Sequence, residues 1–222
     1  AQFAGCIEGI ANACADLEYP VISGNVSLYN ETNETGIFPT PTIGGVGIIN
    51  DWQNALTMDF KAQGHTIILL GRNNGHLGQS LYLKHIHGLE AGEPPPVHPV
   101  EEKTLGDFII LANRQDLLTA CHDVSDGGLL VALTEMAIAG NTGAVLEIDE
   151  KSAEFWFGED QARYLVTTES PDDLIKEALT DGLSATIIGQ SGGESIRFHG
   201  GQSIDLPHLI NLHEQWFSEY FR

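Results

Sequence analysis

Short apolar runs of strand length alternate with helical periodicities along this chain, and that spacing most limits what it can fold into. Phe3, Cys6, Ile7, Ile10, Ala13, Cys14 and Leu17 recur at helical intervals, which predicts an amphipathic helix over roughly 2–17. Glu18-Tyr19-Pro20 stops it. Val21–Ser23 then starts a strand, Asn30–Gly36 is a polar connection ending in glycine, and Thr42–Ile49 reads as a second buried strand. His65-Thr66-Ile67-Ile68-Leu69-Leu70 is a nearly continuous apolar strand closed by Gly71. Further strands are expected at 120–124, 144–148, 161–168, 185–189 and 195–199. Helices are expected at 78–85, 100–113, 127–139, 171–181 and 206–221, and a Pro-rich extended loop at 89–100. Strands mixed with helices in this way predict an α+β fold, or a sheet with helices on one face. The first block, 1–60, is helix–strand–loop–strand. It is too small for a domain of its own and reads as the tail of one, with 61–222 as a second domain.

Composition narrows the function. Ten Lys and Arg against 31 Asp and Glu give a formal charge of −21. Such a surface repels nucleic acid and anionic lipid. A phosphate site on it must be local, built from backbone amides, a helix N-terminus or a bridging cation. No apolar run reaches the ~18 residues of a membrane span. Three cysteines, Cys6, Cys14 and Cys121, form no Cys-x-x-Cys pair. Cys6 and Cys14 would sit about two turns apart on one helix, too far to bridge. They read as reduced thiols of a cytoplasmic protein. None of the nine histidines has zinc-ligand spacing.

Three segments could carry chemistry. Val21-Ile22-Ser23-Gly24-Asn25-Val26-Ser27-Leu28-Tyr29-Asn30-Glu31 runs from apolar residues into amides, an amide oxygen and a hydroxyl. These groups can hold phosphate oxygens and a hard cation, although the same letters also make an ordinary turn. His122-Asp123-Val124-Ser125-Asp126-Gly127-Gly128-Leu129 ends a strand and opens a helix, with Ser125 or Asp126 placed to be its N-cap. The glycines admit a ligand or a neighbouring backbone, and His122 and Asp123 can pair structurally or as a general base. Phe157-Gly158-Glu159-Asp160-Gln161-Ala162-Arg163-Tyr164-Leu165-Val166 reads as a strand with Glu159, Gln161 and Arg163 on one face.

Together with Pro39-Thr40-Pro41-Thr42-Ile43-Gly44-Gly45-Val46-Gly47, these segments resemble the formylglycinamidine ribonucleotide synthases, a family of the PurM-like ATP-binding superfamily. The resemblance runs nearly end to end. It implies the end of a PurM N-terminal-like domain (1–60), followed by a PurM C-terminal-like domain with a mixed sheet and helices (61–222). It also implies ATP and Mg²⁺ as cofactors, with Gly24 contacting ATP, Asn25 on Mg²⁺ and Ser27 contacting the nucleotide substrate. The implied reaction amidates formylglycinamide ribonucleotide with glutamine-derived ammonia. The family's catalytic histidines and most of its metal carboxylates belong to a first half that this stretch does not match. The piece alone is therefore expected to be inactive, with the missing half and a glutaminase subunit or domain as partners. Apolar residues of 1–50 left without neighbours would favour a homo-oligomer or disorder there. Two alternatives stand beside this one. The first is a related enzyme such as aminoimidazole ribonucleotide synthetase or thiamine-monophosphate kinase. The second is a regulatory or scaffold domain that kept the fold without catalysis.

Overall fold

The computed structural model describes residues 1–37 and 40–220, without the side chains of Ser218 and Glu219. Pro39, in the quoted turn, and Phe221, at the end of the expected last helix, lie outside the described residues. The chain divides into two compact units, Ala1–Trp52 and Gln53–Arg222.

In the first unit, α1 (Gln2–Asp16) forms as its periodicity predicts, but it buries none of its residues. The polar connection is a small hairpin, β1 (Glu31–Thr32) against β2 (Thr35–Gly36). Its two-residue turn places Asn33 at φ 51° and Glu34 at φ 64°, the left-handed pair that matches strand twist. The strands expected at Val21–Ser23 and Thr42–Ile49 do not form. Both segments lie outside any ladder, and Ile43 and Val46 are exposed rather than buried. A strand exists only through its partner's hydrogen bonds, so an apolar, β-branched stretch cannot make one alone. The Tyr19 hydroxyl accepts from the Val46 amide at 2.7 Å and lies 3.1 Å from the Val46 carbonyl, tying the two segments together.

The second unit is built on a seven-stranded sheet. In chain order its strands are β3 (Thr66–Leu70), β4 (Ala120–Asp123), β5 (Ala144–Leu146), β6 (Tyr164–Thr168), β7 (Ala185–Ser191), β8 (Ser195–Arg197) and β9 (Ser203–Asp205). Across the sheet they run β4-β6-β3-β7-β5-β8-β9, antiparallel except for the parallel β5–β8 pair. The helices are α2 (Leu81–His87), α3 (Pro99–Arg114), α4 (Gly128–Gly140), α5 (Ala153–Phe157), α6 (Pro171–Thr180) and α7 (Leu206–Tyr220).

The apolar run of β3 explains the layering. Alternate side chains of a strand face opposite ways, so a strand apolar at every position needs cover on both faces. Ile67 and Leu69 pack with Leu165 and Ile188 beneath Leu129, Leu133 and Met136 of α4. Ile68, Leu70 and Val166 pack beneath Leu105 and Phe108 of α3 and Leu174 of α6. Helices therefore cover both faces, not one. Each fully buried Leu or Ile contributes about 1.5–3 kcal/mol. Every buried apolar side chain among the described residues lies at or beyond Phe60.

Local chemistry sets the helix ends. Ser80 caps α2 by accepting from the Leu83 amide at 3.2 Å, and Gly88 closes it at φ 66°. Pro99 opens α3 and Pro171 opens α6, positions where a missing N–H costs nothing.

Candidate functional site

Gly24, Asn25 and Ser27 lie together on one exposed segment of the first unit, outside any helix or strand. A Cβ on Gly24 would meet nothing within 4 Å, so its backbone is open to approach. The Asn30 side-chain amide donates to the Ser27 carbonyl at 2.9 Å and bends the chain into the hairpin. Neighbouring Ile22, Val26, Leu28 and Tyr29 are exposed as well. Among the described residues, no group of three or more His, Cys, Asp or Glu is arranged to hold a metal. Asn25 is thus a single neutral oxygen, fit for one position of a cation whose other ligands are phosphates or come from elsewhere.

The other two segments meet in the second unit, and both differ from their sequence reading. Residues 158–163 are a turn, not a strand; Ala162 sits at φ 54° and β6 begins at Tyr164. Glu159, Gln161 and Arg163 therefore do not share a face. Arg163 is buried and donates to the Asn73 side-chain oxygen (2.8 Å), the Gly158 carbonyl (2.7 Å) and the Asp160 carbonyl (3.0 Å). Burial pulls its pKa down, and the nearby Asp160 and Glu159 carboxylates push it back up. Three guanidinium N–H bonds explain how a cation is tolerated in the interior.

Neither Ser125 nor Asp126 caps α4. The N-cap is Gly127 at φ 79°, followed by Gly128 at φ 75°, and no side chain within the turn bonds the helix end. Two consecutive left-handed residues aim the cap position away from the Ser125 and Asp126 side chains, which remain exposed. The helix end is satisfied from a distance: the Glu159 carboxylate accepts from the Gly127 amide at 2.8 Å. The same oxygen accepts from the Leu81 amide, the first of α2, also at 2.8 Å. Asp160, buried, accepts from the amides of Asn74 (3.1 Å), Gly75 (2.8 Å) and His76 (3.4 Å). The Ala162 amide lies beside the Glu102 carboxyl, in the first turn of α3. The starts of three helices thus converge on one turn. Amides able to hold phosphate oxygens there are filled by the protein's own carboxylates.

His122 is held between two carboxylates, with Nε2 2.8 Å from Glu135 and Nδ1 3.3 Å from Asp123. Both ring nitrogens are engaged, which fits a tie between β4 and α4 better than a free general base. Burial, with Asp123 beside it, pushes the Cys121 thiol up to about 12, so it is an inert thiol. Asp160 escaped the sequence reading. Its signal lay in Asn73-Asn74-Gly75, a turn whose amides need an acceptor, but nothing in the sequence says which carboxylate arrives.

This sheet, covered on both faces and opened by a glycine-headed helix at the end of β4, defines the class. The AIR synthase related protein C-terminal domain family matches residues 62–199, more than half of the chain, and the chain belongs to that family. Similar proteins are the phosphoribosylformylglycinamidine synthase subunits PurL of Rhodopseudomonas palustris strain TIE-1, 50% identical over 224 residues, and of Parvibaculum lavamentivorans, 48% identical over 225 residues. In both cases 99% of this chain is covered, and the chain spans 30% of the relative's length. Among solved structures, T. maritima PurL complexed with FGAR is similar at a TM-score of 0.60 and 20% identity, over 72% of this chain and 30% of that one. T. maritima PurL complexed with ATP is similar at 0.56 and 18%, over 72% and 28%. At these identities the likeness shows the PurM-like α+β fold. No helix among the described residues is long and apolar enough to cross a membrane.

Proposed function

We propose that this chain is the C-terminal part of a PurL-type formylglycinamidine ribonucleotide synthase. It would end a PurM N-terminal-like domain at 1–60 and supply a PurM C-terminal-like domain at 61–222. The observation that carries this reading is near-half identity to PurL subunits over 99% of the chain, including the Ser23–Glu31 segment. The family match at 62–199 supports the second domain. The parent reaction is the ATP-dependent amidation of formylglycinamide ribonucleotide in purine biosynthesis, in the cytoplasm. ATP phosphorylates the amide oxygen to an iminophosphate and leaves as ADP; ammonia then displaces phosphate to give the amidine.

In that assembly the open backbone at Gly24 lets a nucleotide approach closely, and the Ser27 hydroxyl donates to substrate. The Asn25 oxygen is one ligand for Mg²⁺, a neutral donor suited to a cation already balanced by phosphate charge. Held there, Mg²⁺ would supply positive charge against the phosphate oxygens of the nucleotide. Partners are the remaining part of the synthase and a glutaminase; PurLQS from T. maritima is a solved complex of the related type. The chain by itself makes no product.

A chimera tests this. Residues 1–222 replace the matching segment of a homologous PurL, which is assayed with ATP, formylglycinamide ribonucleotide and ammonia. The expected result is turnover within about tenfold of the parent, with a raised Mg²⁺ requirement in Asn25→Ala. A folded, inactive chimera, or an Asn25→Ala variant with unchanged Mg²⁺ dependence, overturns the reading or the assignment of Asn25 respectively.

A further inference from the structure

Residues 157–163 were singled out in the sequence, yet the proposed function gives them no task. Their geometry points to one. We infer that Glu159 is a positioning residue that locks the turn ahead of α4 and the loop ahead of α2 into one body, closed to phosphate.

One oxygen of Glu159 accepts two backbone amides, Leu81 and Gly127, that are 46 positions apart in the chain. The Glu159 amide donates to the His76 carbonyl at 2.8 Å, and the Val124 amide donates to the Arg163 carbonyl at 3.0 Å. Asp160 holds the amides of Asn74, Gly75 and His76 on the same side. The backbones also touch. A Cβ on Gly158 would lie 2.8 Å from the Gly75 Cα, and one on Gly128 would lie 2.7 Å from the Gly158 carbonyl oxygen. Segments 73–81 and 124–128 are therefore each in backbone contact with 157–163, whose two carboxylates hold five amides. An anionic acceptor bonds an amide more strongly than a neutral one does. The lock fixes the place of Ser125 and Asp126, whose side chains stand exposed on the turn.

Amide exchange, read residue by residue by NMR on the 222-residue chain, tests the coupling. In Glu159→Ala, exchange at Leu81 and Gly127 should rise together, by about ten- to a hundredfold, while Ile67–Leu69 in the central strand keep their rates. Glu159→Gln retains the acceptor oxygen at the same reach and should restore both. Glu159→Asp is one methylene short and should restore one amide at most; it decides the matter with Gln if the alanine variant does not fold. A rise at only one amide in Glu159→Ala, restoration of both by aspartate, or an equal rise across Ile67–Leu69 overturns the inference. Excess inorganic phosphate added to wild type should leave the amide signals of 74–76, 81 and 127 in place. Saturable shifts there would show an open phosphate site and overturn it as well.

Discussion

Gly128 shows how much one residue decides here. Its φ of 75° is a conformation that side-chain-bearing residues avoid, and an added Cβ would sit 2.7 Å from backbone atoms of Phe157 and Gly158. Backbone cannot rotate aside as a flexible side chain can. Gly128→Ala is expected to lose about 2–4 kcal/mol, combining left-handed strain with overpacking. Urea unfolding checks it, and a loss below about 0.5 kcal/mol would show that the contact relaxes freely. The sequence marked this glycine as a place where something comes close. What comes close is backbone from residues 157–158, and that follows only from the sheet order.

At the scale of elements, α3 and the turn before β6 are joined by an acid that burial disfavours. Desolvation raises the pKa of Glu102 above the ordinary carboxylate value; the Ala162 amide works against this and Glu101 adds to it. A carboxyl whose folded pKa is raised binds its proton more tightly in the folded state. Its contribution is fully present below the unfolded value and is lost as pH rises through the folded one. Glu102→Gln stays neutral and keeps an acceptor for the Ala162 amide. It should therefore gain stability relative to wild type as pH goes from about 4 to about 7. The gain should stay under about 1 kcal/mol, since the group is partly solvated. Urea midpoints of both proteins at the two pH values measure it. A difference that does not grow with pH would remove Glu102 as its source. Strands obey a different rule from such helix contacts. Val21–Ser23 and Thr42–Ile49 have the composition of strands without a ladder, whereas 66–70 has partners on both sides.

Over the whole molecule the two units differ in what they bury. No described residue of Ala1–Trp52 belongs to either apolar core, and Phe3, Ile7, Val21, Ile43, Val46 and Ile48 are exposed. Residues 66–70 sit between two packed faces. Amides of 1–52 should exchange at rates near those of an unfolded chain in the isolated 222-residue protein, while those of β3 and β6 are protected by global stability. Hydrogen exchange with light scattering at several concentrations reads both protection and association. Protection of 1–52 equal to that of β3 in a monomer would refute this. Concentration-dependent protection would show that association supplies the missing cover.

The sequence by itself determined every helix but the short α5, most strands of the second unit and the α+β class. Those follow from periodicity, proline and glycine placement, and a continuous apolar run, all of which act within a few residues. It also marked Gly24, Asn25 and Ser27 as one candidate cluster, and the structure keeps them on one exposed segment because they are neighbours in the chain. Tertiary structure alone decided that helices cover both faces of the sheet and that 21–23 and 42–49 join no strand ladder among the described residues. It also decided that 158–163 turns, sending Glu159 to two helix starts and Asp160 to a third loop. The physical reason is the same in each case. Which amide a carboxylate reaches, and whether a strand has a neighbour, depends on segments brought together from tens of residues away. Local propensity carries no record of them.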